Sequence, residues 1–121
     1  MSIKSYRDLE VWRRSIELAE KIYSVVRQLP PDERFGLSSQ MRRASVSVPS
    51  NIAEGSGYGT TRRYVHHLRI AAGSNCELQT QLTLSARLRL LEPAQVDALL
   101  NQSNEIGRML SGLIRALQKN S

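Results

Sequence analysis

Apolar residues recur along this chain at helical spacing, and no stretch shows the alternation expected of a strand. Breakers cut the pattern into four segments. In the first, Leu9, Trp12, Ile16, Ala19, Tyr23 and Val26 form a three-four stripe. Val11, Leu18, Ile22, Val25 and Leu29 form a second stripe beside it. Ser5 is a good N-cap, Asp8 favours the first turn, and Pro30 and Pro31 stop the segment. The pattern predicts a helix from about Tyr6 to Leu29. An outer helix of a monomeric bundle needs one apolar stripe, not two. Either this helix is central in an uneven bundle, or its second stripe meets another subunit. Four short-linked helices leave little room for a central one, so the subunit interface is the favoured reading.

The second helix is expected from Asp32 or Glu33 to Glu54, kinked at Pro49. Leu37, Met41, Ala44, Val48 and Ile52 make its apolar face. Gln40, Arg43, Ser47, Asn51 and Glu54 make a separate polar face. These groups can satisfy one another's hydrogen bonds when buried, which predicts a polar seam pressed against a neighbouring helix. Gly55, Gly57 and Gly59 then form a flexible connection. Thr60 or Thr61 caps the third helix, which runs to about Leu91; Pro93 opens the fourth, which runs to about Leu117. All connections are short. The expectation is therefore one all-α domain over 1–121, an antiparallel up-down-up-down four-helix bundle. A hairpin turning near Tyr58 sets Arg43 opposite Glu77, with Ser74 and Gln81 on the same polar stripe of the third helix. Losing one partner of such a buried pair costs roughly 3–5 kcal/mol.

Charge changes the picture next. The 121 residues carry 17 basic and 11 acidic side chains, a formal net charge of +6. The basic set is 14 Arg and 3 Lys. The planar guanidinium grips phosphates and carboxylates and tolerates burial better than an ammonium. Arg62 and Arg63 open the third helix, Arg69 lies one heptad beyond Arg62, and Arg42 lies on the second helix. None of these four has an obvious carboxylate partner, which makes them the candidate phosphate contacts. The last turns of the third helix carry Arg87 and Arg89, where the helix dipole already favours cations. One cysteine, Cys76, cannot close an internal disulfide, and the first residues hold no apolar signal core. No apolar run approaches membrane-spanning length. A cytoplasmic protein with no membrane contact is expected.

Catalytic chemistry finds little footing. A di-iron site in a bundle needs inward Glu-x-x-His pairs, and there are none. His66 and His67 are adjacent, so they point about 100° apart and cannot share a metal from one helix. They read as surface histidines or a polar contact at the loop end. Cys76 reads as a small packed residue. The glycine connection lacks the lysine and the preceding strand of a phosphate loop. Trp12 falls on the heptad stripe, which favours core packing. No enzyme, metal or cofactor is expected.

Several motifs together carry a resemblance. Tyr6, Leu9 and Trp12 open the chain, and Pro30 precedes the second helix. Gln40, Met41, Arg42, Arg43 and Ala44 follow, then Ser50, Asn51, Ile52, Ala53, Glu54 and Gly55. Ile70, Ala71, Gly73, Ser74 and Glu77 complete the set. In these the chain resembles, over nearly its whole length, the four-helix bundle proteins encoded within intervening sequences of bacterial 23S ribosomal RNA genes. It is also similar to the accessory protein of diversity-generating retroelements, which binds nucleic acid and a reverse transcriptase. The chain departs from the pattern at Met41, in place of Leu, and at Asn75-Cys76, in place of a Leu-containing pair. The resemblance implies a bundle assembled as a ring-like homopentamer, altered packing near Asn75, and no catalytic residue.

The expected activity is binding of RNA or DNA through an arginine-rich face. The alternative is a structural adaptor that binds a protein partner and keeps its arginines for internal pairing. The salt dependence of binding separates the two.

Overall fold

The computed structural model of the chain describes residues 5–119. Among them all regular structure is helical: α1 Glu10–Val26, α2 Leu37–Ser56, α3 Thr61–Arg87 and α4 Pro93–Lys119, with short 3₁₀ turns at Tyr6–Asp8 and Pro31–Glu33. Each helix packs on its chain neighbours, and α1 packs on α4. The backbones of α1 and α3, and of α2 and α4, do not come close to each other. Every helix therefore occupies a corner, and α1 is not central.

The helix ends depart from the expected ones for local reasons. Ser5 does cap, accepting the Arg7 N–H at 3.1 Å. It caps only a 3₁₀ turn, because Leu9 is extended and α1 restarts at Glu10. Tyr6 folds back to meet Trp12 edge-on at 5.2 Å, and Arg13 donates to the Arg7 carbonyl. Glu33 does not enter α2 but caps it: its carboxylate accepts the Leu37 N–H at 3.2 Å. A Cβ on Gly36 would lie 2.9 Å from that carboxylate, so a side chain there would push the cap aside. Thr60 caps α3 as expected, accepting the Arg63 N–H. That helix ends at Arg87 rather than Leu91, because Arg89 turns left-handed (φ 61°) and Leu90 N–H reaches back to the Ser85 carbonyl at 2.9 Å. Helix α2 runs through the buried Pro49.

The core follows the apolar stripes. The whole expected face of α2, from Leu37 to Ile52, is buried. Ile22, Met41, Ile52, Leu68, Leu78, Leu82, Ile106 and Leu110 are almost wholly withdrawn from solvent. Each such side chain contributes roughly 1.5–3 kcal/mol of transfer free energy. On α1 the two stripes part company. The stripe from Val11 to Leu29 is buried throughout. Of the other, Ala19 and Val26 are buried, Leu9 and Trp12 lean on the core, Ile16 is half-buried and Tyr23 is exposed.

Candidate nucleic-acid interface

Polar groups are inlaid along two helix pairs. Between α2 and α3, the Ser47 and Ser74 hydroxyls meet at 2.8 Å. Asn51 donates to the Ser47 carbonyl and hydroxyl at 2.9 and 3.0 Å. That use of its amide nitrogen turns Oδ1 toward His67, whose Nδ1 lies 3.0 Å away and therefore donates. Glu54 approaches the same nitrogen at 3.4 Å. Tyr58 stacks on the His67 ring at 5.1 Å, and Arg63 lies over Tyr58 at 5.1 Å. The buried Gly55 lets this corner close, since a Cβ there would sit 2.8 Å from the His67 Cβ. His67 is thus the polar loop-end contact, and its neighbour His66 stays on the surface.

Arg43 and Glu77 correct one expectation. They line one groove between α2 and α3, but they form no ion pair within 4 Å, and both side chains are exposed. The small Ser47 and Ser74 hydroxyls bond directly between the helices. The longer side chains line an open groove of about 670 Å³ with Gln40 and Gln81. A solvated pair gains little from closing. Buried Gln81 Oε1 has no hydrogen-bond partner there.

A second seam joins α3 to α4. Asn75 donates to the Ser103 carbonyl at 2.9 Å, and the Ser103 hydroxyl donates back to Asn75 Oδ1 at 2.7 Å. Gln79 donates to Ser103 Oγ and Asn104 Oδ1. Gly107 gives Asn75 room: an added Cβ would stand 3.3 Å from Nδ2. Sequence reading missed this pair, although Ser103 stands in line with Val96, Leu99, Ile106 and Leu110 on the buried face of α4. With Asn75 turned inward, Cys76 rotates outward and is exposed rather than packed. A third polar tie joins α1 to α4, where Arg14 bonds Glu10 and Glu105. The Glu10 hydrogen bond raises the Arg14 pKa most, burial opposes it, and Glu105 adds to it.

The four candidate arginines do not share one patch. Arg62 and Arg69 line a single groove of about 420 Å³ at the start of α3, with His66 between them and Thr61, Val65 and Gln118 around them. Positions 62, 66 and 69 fall on one helix face. No Asp or Glu lines this groove. Arg63 points away, over Tyr58. Arg42 is half-buried on α2, nine residues before Asn51 and so roughly 13 Å further along that helix. Among the described residues no three His, Cys, Asp or Glu side chains gather at a metal site, and no helix is long and apolar enough to cross a membrane.

A family model described as "23S rRNA-intervening sequence protein" matches residues 7–112. The chain belongs to that family. A solved structure from Bacteroides thetaiotaomicron VPI-5482, a protein with unknown function from the S23 ribosomal protein family, is similar at 27% identity and a TM-score of 0.80. The likeness covers 86% of this chain and 97% of that one. No curated protein matches. As a member of the 23S rRNA-intervening sequence protein family, the chain carries its quoted motif residues in distinct places. Trp12 leans on the core, and Arg43 and Glu77 face the α2–α3 groove. Ser74 and Asn51 build the seam, with Glu54 and Gly55 at its closed end. Gly73 faces open space.

Proposed function

We propose that this protein is a non-enzymatic, self-associating bundle of the cytoplasm that binds RNA or DNA by its phosphates. Its helices run up-down-up-down, and copies assemble as a ring-like homopentamer. The observation that carries the binding reading is the groove of Arg62, His66 and Arg69, two guanidiniums and an imidazole on one face with no carboxylate among the lining residues. A net charge of +6 supports the same reading. Arg63 lies outside this groove, over Tyr58, and is reached only by a strand that extends past it. Arg42 sits apart from it and contributes only if the nucleic acid spans two helices. The antiparallel arrangement is supported by the contact order, in which Ser47 meets Ser74 while the later Asn51 meets the earlier His67. The pentamer rests on the family resemblance. In a ring the groove repeats, so weak contacts add through effective concentration.

The test is fluorescence anisotropy with a labelled single-stranded RNA and a labelled DNA duplex at low salt. Wild type should bind both, and Arg62→Ala/Arg69→Ala should bind at least tenfold more weakly while keeping helicity and mass. If the folded variant binds as well as wild type, the groove is not the interface. If wild type binds neither, the adaptor reading replaces this one.

A further inference from the structure

Phe35 is the one phenylalanine of the chain, and it lies 87% exposed on the α2–α3 groove. Such a ring is ordinarily buried. Arg34 lies over one of its faces at 5.3 Å, which leaves the other for a second flat group. On the α3 wall of the same groove stand Glu77 and Gln81, one helical turn apart. The Glu77 carboxylate offers acceptors only and joins no ion pair among the described residues. Gln81 is 9% exposed, and among the described residues nothing pairs with its Oε1. A buried acceptor left without a partner is costly, and a small turn of the side chain brings it to a donor in the groove. The α2 wall holds Arg43, which offers donors only.

We propose that this groove takes an unpaired guanine of a single-stranded nucleic acid. This deepens the nucleic-acid reading and rests on it. The groove asks for a flat ligand with donors along one edge and acceptors along the next. Guanine has both: N1–H and N2–H face Glu77 and Gln81, O6 and N7 face Arg43, and the ring stacks on Phe35. Adenine and cytosine place a ring acceptor, and uracil a single N–H between carbonyls, where guanine has two donors. An arginine side chain of a protein partner is also flat and rich in donors, but it has no acceptor edge for Arg43. A base in a duplex hides its donor edge, so the ligand is a single strand. Glu77 lies eight residues beyond Arg69, about 12 Å along α3 and roughly a quarter-turn round it, so one strand can serve both grooves. The phosphate groove then supplies attraction without regard to sequence, and the α2–α3 groove supplies choice of base.

The test is fluorescence anisotropy with a labelled oligouridine RNA and the same strand carrying one central guanine or one central adenine. Wild type should bind the guanine strand about tenfold more tightly than oligouridine, and adenine should bring no such gain. Phe35→Ala and Glu77→Gln should each shrink the ratio of guanine to oligouridine affinity, with helicity and the salt slope for oligouridine unchanged. Guanine and adenine strands bound alike, or a folded variant that keeps the full preference, overturns the guanine site while the phosphate groove stands. Should Glu77→Gln lose its helicity, Phe35→Ala decides, because its ring is 87% exposed and holds nothing together. If wild type binds no strand at low salt, the phosphate reading fails, and a titration with guanosine monophosphate followed by NMR decides the groove alone. A shift of the Gln81 side-chain amide with guanosine and not adenosine monophosphate supports the site, and no shift overturns it.

Discussion

Asn75 and Ser103 bond each other in both directions across α3 and α4, at 2.9 and 2.7 Å, with both residues withdrawn from solvent. Neither polar group is isolated, so the pair fixes the register of two long helices at little cost. Removing one partner strands the other. Ser103→Ala should destabilise the chain by about 1–3 kcal/mol in urea unfolding. Asn75→Leu/Ser103→Ala should recover much of that loss, because an apolar pair leaves no side-chain group unsatisfied. A double variant as unstable as the two single losses added together would show that the two residues act independently.

Gly55 is held by a steric limit. An added methyl would lie 2.8 Å from the His67 Cβ and 3.2 Å from the Tyr64 carbonyl, atoms too close to the backbone to swing aside. Gly55→Ala should therefore cost about 1–3 kcal/mol, although alanine is the better helix former. A raised thermal midpoint would mean that the α2–α3 corner is looser than the structure shows.

Arg89 holds a left-handed conformation (φ 61°) that ordinarily belongs to glycine at the end of a helix. Arg89→Gly should stabilise the chain by about 1 kcal/mol and raise its thermal midpoint. A lowered midpoint would show that the side chain makes a contact worth more than the strain.

Much of this was legible because it is local. The Thr60 cap, the Pro93 start and the apolar face from Leu37 to Ile52 need only neighbours on one helix. The start of α2 misled because an acid beside a proline resembles a first turn, whereas Glu33 reaches forward to cap Leu37. Arg43 and Glu77 were expected to pair in the seam, but both stay exposed on an open groove while the Ser47 and Ser74 hydroxyls bond across it, and that depth is set by how two helices pack. The exposed Cys76 and the Asn75–Ser103 bond follow from the rotation of α3 against α4, which no single helix records. Of the basic residues, the heptad step from Arg62 to Arg69 puts both on one helix face, where they line one groove; nothing local told that Arg63 would cover Tyr58.

Burial pushes the Tyr64 phenol above its ordinary value of 10.0. The sign follows from proton binding: between the unfolded and the folded values the native state holds a proton that the unfolded state has lost. Stability is then fully present below about pH 10 and falls as pH rises through the folded value. Tyr64→Phe should show a shallower decline between pH 9 and 11 in urea midpoints. Identical slopes would mean that the phenol is as solvated in the folded chain as in the unfolded one.

Phosphate binding in the Arg62–His66–Arg69 groove would make the affinity for nucleic acid depend on salt. Affinity for a single-stranded RNA is measured over a series of salt concentrations for wild type, Arg62→Ala and Arg69→Ala. Wild type should weaken steeply as salt rises, and each lost phosphate contact should reduce the slope of log affinity against log salt by about one unit. The loss should be the same for unrelated base sequences, as expected of contacts made to phosphates. Slopes unchanged in the folded variants, or a wild-type affinity indifferent to salt, would contradict the claim.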